Sequence, residues 1–379
     1  MKVVVVGAGF AGLAAALAAR RAGAEVSVVQ QGAGASALYA GVVDGSLEPT
    51  DEAQRANLTE LGRALGLRLH AKSLVATREG VVRAATGADR ALLDLTLLAG
   101  RRIGVVDVPR DDWDGRLLVR SFATSAWARQ TGTRFELVPL ELLEKGHQRR
   151  VSAYDFAASF ERPERPGWLI ELLKAHKGPD AWLFGPWLGV TQDLSSQLSS
   201  AVGVPVGEVT SPPGGAAGAR FELRREQLLR GLEVEVLVER AQRVSAGEAK
   251  VVVSLGAGVE LEADAVVLAC GGFVSGALEL TGSLSGAEQT GFELAIQGLP
   301  AVEVQGERGH PVSSLFGVDL AARGRALLER VGLRVDASGH VSGLSRVFAA
   351  GDVTAPETPS VGHALRSGLT AGAAAACAP

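Results

Sequence analysis

Cysteine is almost missing from this chain: Cys270 and Cys377 are the two it has among 379 residues. Two cysteines build no disulfide framework and point to a reducing compartment. They also cannot ligate an iron–sulfur cluster within the chain, and no metal site is expected. An excess of charge of one sign is lacking too. The 38 basic and 42 acidic residues leave a formal net charge of −4, and no basic run stands out, which excludes the electrostatic footprint of a nucleic-acid binder. Outside the first strand–helix stretch, no uninterrupted apolar run reaches the ~20 residues of a membrane span. Lys2 and the apolar residues after it are compatible with a secretory leader at first sight. Glycines at 7, 9 and 12 break that run, however, and Arg20-Arg21 stands where a small-residue cleavage site belongs. What remains is a globular composition, 47% hydrophobic and 21% charged, with room for two or three domains. A soluble, cytoplasmic protein is expected.

What is abundant is glycine, 48 residues, and its placement carries the first functional signal. Val3–Val6 is a continuous β-branched run, the pattern of a buried parallel strand, and it ends in Gly7-Ala8-Gly9-Phe10-Ala11-Gly12 before an alanine-rich helical segment. In a G-x-G-x-x-G turn the first glycine makes the tight turn, the second lets a phosphate approach the backbone, and the third lets helix and strand pack closely. The first-turn N–H groups then face the anion. The expectation is a nucleotide cofactor. The second strand, Glu25–Gln30, closes a β-α-β opening. Dinucleotide binders usually end this strand in a carboxylate that grips the adenosine ribose, whereas here Gln30 and Gln31 stand there. An amide lacks the charge-assisted grip.

Along the chain, a helix is expected from Asp51 to Leu65 and a hairpin around Glu79-Gly80. Ile103–Val108 reads as a buried strand, Asp114 to Thr131 as a helical stretch, and Arg134–Val138 as another strand. Trp127, Trp168, Trp182 and Trp187 fall in this middle region and read as core. Ser211-Pro212-Pro213-Gly214-Gly215 is a breaker and a return point. A helix over 220–230 leads into strands at 233–238, 249–255 and 258–261, read as an antiparallel meander. The fold class is therefore α/β: a Rossmann-like flavin-binding domain, with a parallel sheet and a meander, carrying an inserted α/β domain. The expected divisions are 1–100, 101–210 and 211–379.

Two later segments resemble flavin-binding signatures. Val266-Val267-Leu268-Ala269-Cys270-Gly271-Gly272 is a buried strand ending in small residues, where a cofactor's phosphates come close. Cys270 is read as packing rather than as a redox thiol. Val347-Phe348-Ala349-Ala350-Gly351-Asp352 resembles the carboxy-terminal flavin motif, whose aspartate accepts from a ribityl hydroxyl, followed by a small-residue helix from about Val361 to Ala376. The cofactor-binding set is Gly7, Ala8, Gly9, Phe10, Ala11, Gly12, Gln30, Gln31, Ala269, Cys270, Gly271, Gly351 and Asp352.

Over its whole length the chain resembles the B subunit of the anaerobic glycerol-3-phosphate dehydrogenase complex. The resemblance is carried by the V-V-G-A-G-F-A-G-L start, the 102–108 strand, the P-P-G segment at 211–218 with Arg220 and Leu223, the G-G-F-V-S-G-A-L run at 271–278, Phe316-Gly317-Val318 and Phe348–Val353. It implies FMN as cofactor, with FAD as the alternative, and Gln30 agrees with FMN. It also implies a catalytic FAD subunit and an iron–sulfur subunit as partners. Together they would oxidise sn-glycerol 3-phosphate to dihydroxyacetone phosphate and pass electrons to quinone, the complex lying peripherally on the inner face of the cell membrane. A stand-alone FAD-dependent dehydrogenase of the fumarate-reductase-like class stays open as an alternative, as does a scaffold without cofactor. Oxidising a secondary alcohol needs a base, and a phosphate needs a cation. Arg308 with His310, and His363 with Arg366, are the candidates.

Overall fold

The computed structural model describes residues 1–32, 34–69, 72–281, 291–304, 331–355 and 359–378. The chain divides into two compact units: residues 1–36, 45–61 and 225–379 form the first, and residues 37–44 and 62–224 the second. These limits differ from the expected divisions near 100 and 210. Residues 62–100 belong to the second unit because Gly87–Asp89 pairs there with Val42–Val43 and with Leu67–Arg68.

The first unit is built on a five-stranded parallel sheet in the order 235–238, 25–30, 2–6, 265–268, 347–349. Lys2–Val6 is its centre, and Val3, Val4 and Val5 are fully buried, as a strand covered on both faces requires. Helix Phe10–Arg21 follows and is buried from Phe10 to Ala19. An all-apolar helix of alanines needs a close neighbour on each side. The last helix, Val361–Ala375, supplies one, because a Cβ on Gly368 or Gly372 would stand 2.2 Å from the Ala11 or Ala15 carbonyl oxygen. A three-stranded antiparallel sheet, 241–246, 251–255 and 260–263, contributes Val244, Val251, Val253 and Leu255 to the same core as Val4, Val266 and Val347.

The meander expected from the sequence is corrected here in its membership. Glu235–Val238 pairs in parallel with Glu25–Gln30 at the edge of the main sheet, and Ala241–Ala246 takes its place beside 251–255. The stretch from Asp114 to Thr131 is also two helices, 115–123 and 126–131. Thr124 caps the end of the first, and Ser125 caps the start of the second by accepting from Ala128 N at 3.2 Å.

The second unit contains a four-stranded, wholly parallel sheet in the order 206–208, 181–184, 102–107, 134–139. Alternate residues of each strand go to opposite faces. Val106, Trp182 and Phe184 meet Phe156, Phe160, Leu169 and Leu198 on one side. Ile103, Val105, Ala181 and Leu183 meet Leu118, Phe122 and Phe135 on the other. Trp182 and Trp187 are among the largest fully buried side chains and Trp127 packs partly buried against the core, whereas Trp168, expected in the core, is exposed, with the Arg165 guanidinium over its ring. Among the described residues, no helix is long and apolar enough to cross a membrane.

Candidate cofactor-binding site

The first strand ends at Gly7, which takes φ +113°, a conformation that favours glycine. A Cβ there would lie 2.1 Å from the Ala269 carbonyl oxygen, and one on Gly12 would lie 1.9 Å from the Gly7 oxygen. The two glycines thus let the first helix start directly on the ends of two parallel strands, Lys2–Val6 and Ala265–Leu268. Gly9 is the N-cap, without a side chain to satisfy the first-turn amides, and no acidic residue stands in that turn. Ser36 fills the gap: its Oγ accepts from Phe10 N at 3.2 Å and would sit 2.8 Å from a Cβ on Gly9. Ser36 is not in the expected cofactor-binding set, although the sequence places it in a small-residue loop, 31–47, expected to pass beside the cofactor. The signal available was the bare cap, since orphan amides at a helix start require an acceptor from elsewhere.

The three glycine-rich segments converge within this one unit. Gly351, at φ +75°, would place a Cβ 2.9 Å from the Ala11 side chain, and a Cβ on Gly272 would meet that of Asp352 at 3.1 Å. Ala269 is buried, and Gly271 takes φ +83°. The Gly351 N–H donates to Ser367 Oγ at 3.0 Å, which in turn donates to the His363 carbonyl oxygen at 2.8 Å. This chain of bonds ties the Gly351-Asp352 turn to the first turn of the last helix.

Several polar groups stand ready in this neighbourhood. Gln30 Oε1 is buried and, among the described residues, has no hydrogen-bond partner, whereas Gln31 is exposed. The Asp352 carboxyl is half-buried, and burial raises its pKa above the ordinary carboxylate range. His363 Nε2 is buried and likewise lacks a partner among the described residues. Burial chiefly, with the Arg366 cation, lowers its pKa, while the Gly351 backbone opposes the shift, so the ring is neutral near pH 7. The Cys270 thiol is pushed up to about 12 by burial, so it stays protonated and is no nucleophile. Arg308 and His310, like Phe316-Gly317-Val318, lie outside the described residues. No cluster of His, Cys, Asp or Glu suited to a metal occurs among the described residues.

A flavin dinucleotide fits this donor set. The first-turn amides and the glycine cradle suit its diphosphate. An orphaned acceptor at Gln30 suits a ribose hydroxyl, and a desolvated carboxylate at Asp352 suits a polyol hydroxyl.

The raised pKa of Asp352 has a consequence for stability. Its contribution is fully present below the ordinary carboxylate range and is lost as pH rises through its folded value. The flavin-free Asp352→Asn variant is therefore expected to unfold at higher urea concentration than the parent at pH 7, with no difference near pH 3. Equal midpoints at both pH values would show that the carboxylate is not strained by its burial.

The chain is similar in fold to several solved oxidoreductases, at low levels of likeness. One is an oxidoreductase from Agrobacterium tumefaciens, 16% identical, covering 99% of this chain and 97% of that one, with a TM-score of 0.26. Another is a thioredoxin reductase from Gloeobacter violaceus, 15% identical over 99% and 92%, with a TM-score of 0.26. A third is the 3-ketosteroid delta1-dehydrogenase of Sterolibacterium denitrificans, 18% identical, covering 72% of this chain and 47% of that one, with a TM-score of 0.28. At such scores they carry no argument. No curated protein matches this chain in sequence. Residues 2–153 match the sequence model of the DAO family, FAD dependent oxidoreductase.

Proposed function

We propose that the chain is an FAD-dependent dehydrogenase component whose first unit holds the dinucleotide. The observation that carries this reading is the convergence of the Gly7–Gly12 turn, the 269–272 strand end and the Gly351-Asp352 turn, with Gln30 Oε1 buried and without a partner among the described residues. An acceptor without a partner at the end of the second strand favours a ligand with an adenosine ribose over one without it. FMN, implied by the resemblance, has no support in residues 2–153, which match a family described by its FAD. When bound, a flavin accepts the hydride equivalent. The chain's own residues bind and orient it, and His363 Nε2, neutral and without a partner among the described residues, is the candidate to take the proton of a substrate hydroxyl. Arg366 in the next turn is the candidate cation for an anionic substrate group.

The finer reading is a subunit of a complex that, with a catalytic FAD subunit and an iron–sulfur subunit as partners, oxidises sn-glycerol 3-phosphate to dihydroxyacetone phosphate and passes the electrons to quinone. The G-G-F-V-S-G-A-L run at 271–278 and the scarcity of cysteine support it. A stand-alone dehydrogenase or reductase on another small acid or alcohol is the second reading, favoured by the FAD-type match. The test is to purify the chain alone, release its chromophore by heat and separate it against FMN and FAD standards. The anaerobic holoprotein is then titrated with sn-glycerol 3-phosphate. FAD is expected. Bleaching of the flavin by the chain alone favours a self-sufficient enzyme, and bleaching only when partner subunits are added favours the relay. A colourless chain that takes up no flavin sinks both readings.

A further inference from the structure

The second unit has the layout of a ligand-binding fold in its own right. Strand 102–107 is central in its sheet. From it the chain passes through helices 115–123 and 126–131 to strand 134–139 on one side, then returns through helices 153–159 and 165–175 to strand 181–184 on the other. The loops leaving 102–107 and 181–184 therefore diverge. In open parallel sheets, the crevice outside the carboxyl ends of two such strands is where ligands bind.

A cavity of about 330 Å3 lies there. Its walls come from the residues that follow those strands: Asp114, Leu117 and Leu118 after the first, Pro186 and Trp187 after the second, and Pro212 after the third, strand 206–208. Trp113 and Trp187 pack edge to face within it, their ring centres 5.0 Å apart. Leu117, which lines the cavity, is 53% exposed, so an apolar surface continues out to solvent.

The charges lining it are neutralised with one exception. Both oxygens of Asp112 accept from Arg110 at 2.8 Å. Asp111 pairs with Arg149 and Arg150, and Glu79 lies 3.8 Å from Arg78. Asp114 caps helix 115–123 with one oxygen, accepting from Leu117 N at 2.9 Å, and has no cationic partner among the described residues. The same cap sets a carboxylate at the helix start, where a nucleotide phosphate would otherwise sit. Phosphorylated ligands are thereby disfavoured.

The geometry points to a second small-molecule site in this unit, at the switch point of its parallel sheet, for an organic monocation with an apolar or aromatic body. The body lies against Trp113, Leu117 and Leu118, and the ammonium group meets Asp114. Aromatic rings add to the attraction for a cation.

Calorimetric titration of the full-length protein at low ionic strength, with phenethylammonium and its neutral isostere phenethyl alcohol, tests this. The cation is expected to bind saturably and about fivefold more tightly than the alcohol, the upper range for a partly exposed charge pair. Asp114→Asn keeps a capping side chain and is expected to bring the two ligands to equal affinity. Leu117→Arg, at an exposed position, is expected to abolish binding of both. The site is overturned if the cation does not bind saturably, if parent protein binds both equally, or if the preference survives Asp114→Asn. Undiminished binding by Leu117→Arg also overturns it.

Discussion

Replacing Arg220 by Met is expected to destabilise the second unit by about 3–5 kcal/mol. Arg220 is 1% exposed and lies between two buried carboxylates. Its Nε donates to Asp89 Oδ2 at 3.1 Å, one terminal nitrogen to Glu208 Oε2 at 2.8 Å, and the other to the Gly189 carbonyl oxygen at 2.8 Å. Asp89 also accepts from Ala91 N, and Glu208 from Leu188 N. Met fills similar volume, so little packing is lost. The cost is electrostatic, because Asp89 and Glu208 would remain in the core with Arg224, 3.8 Å from Asp89, as their nearest cation. Burial already raises the pKa of Glu208, with Arg220 opposing that rise. Removing the arginine removes the opposition, so the defect is expected to grow as pH rises through the folded value and to shrink in acid. All five tryptophans lie between residues 113 and 187, so their fluorescence follows this unit alone in a urea titration. A midpoint unchanged at pH 8 would show that the network contributes nothing, and a defect independent of pH would show that the loss is not electrostatic.

That network illustrates what could be read in the sequence and what could not. Arg220 was singled out only as part of a resemblance, and neither Asp89 nor Glu208 carries a local pattern that announces burial. The Arg220–Asp89 pair joins positions 131 residues apart, and only the fold brings them together. The Val3–Val6 strand was legible for the opposite reason, since a strand covered on both faces writes its environment directly into four consecutive residues. Ala241–Ala246 was not, because only Ala241 and Val244 in it are buried. Glu235–Val238 was recognisable as a strand but not as a partner of Glu25–Gln30, because pairing across two hundred residues leaves no trace in local periodicity.

The candidate site divides along the same line. Glycines report backbone constraints: Gly7 and Gly351 follow strand ends and Gly12 lies in the first helix turn packed on Gly7, and a Cβ at each would meet a neighbour at 2.9 Å or less. Ser36 and the Gln30 acceptor, without a partner among the described residues, are matters of who stands opposite whom. The switch point of the second sheet depends on strand order, which the sequence of helices and strands leaves undetermined.

Gly12→Ala is expected to cost about 3 kcal/mol in the first unit and to lower flavin retention by at least tenfold. Two effects of opposite sign compete. Alanine is the better helix former by about 1 kcal/mol, and Gly12 lies inside helix Phe10–Arg21. Against that, the new Cβ would stand 1.9 Å from the Gly7 oxygen and 2.8 Å from its carbonyl carbon. Those neighbours are backbone atoms of the turn itself, so no side chain can swing away. The helix has to move off the strand ends, taking with it the Phe10 amide and the Ala11 surface on which Gly351 packs. Gly231→Ala isolates the propensity effect, because nothing lies within 4 Å of a Cβ there and it ends helix Ala216–Gly231. That variant is expected to be neutral or slightly stabilised and to keep its flavin. Bound flavin per chain and the urea midpoint by far-ultraviolet dichroism decide the matter. If Gly12→Ala retains flavin as well as Gly231→Ala does, the close approach of helix and strand is not what holds the cofactor, and the phosphate-facing role of this turn fails with it.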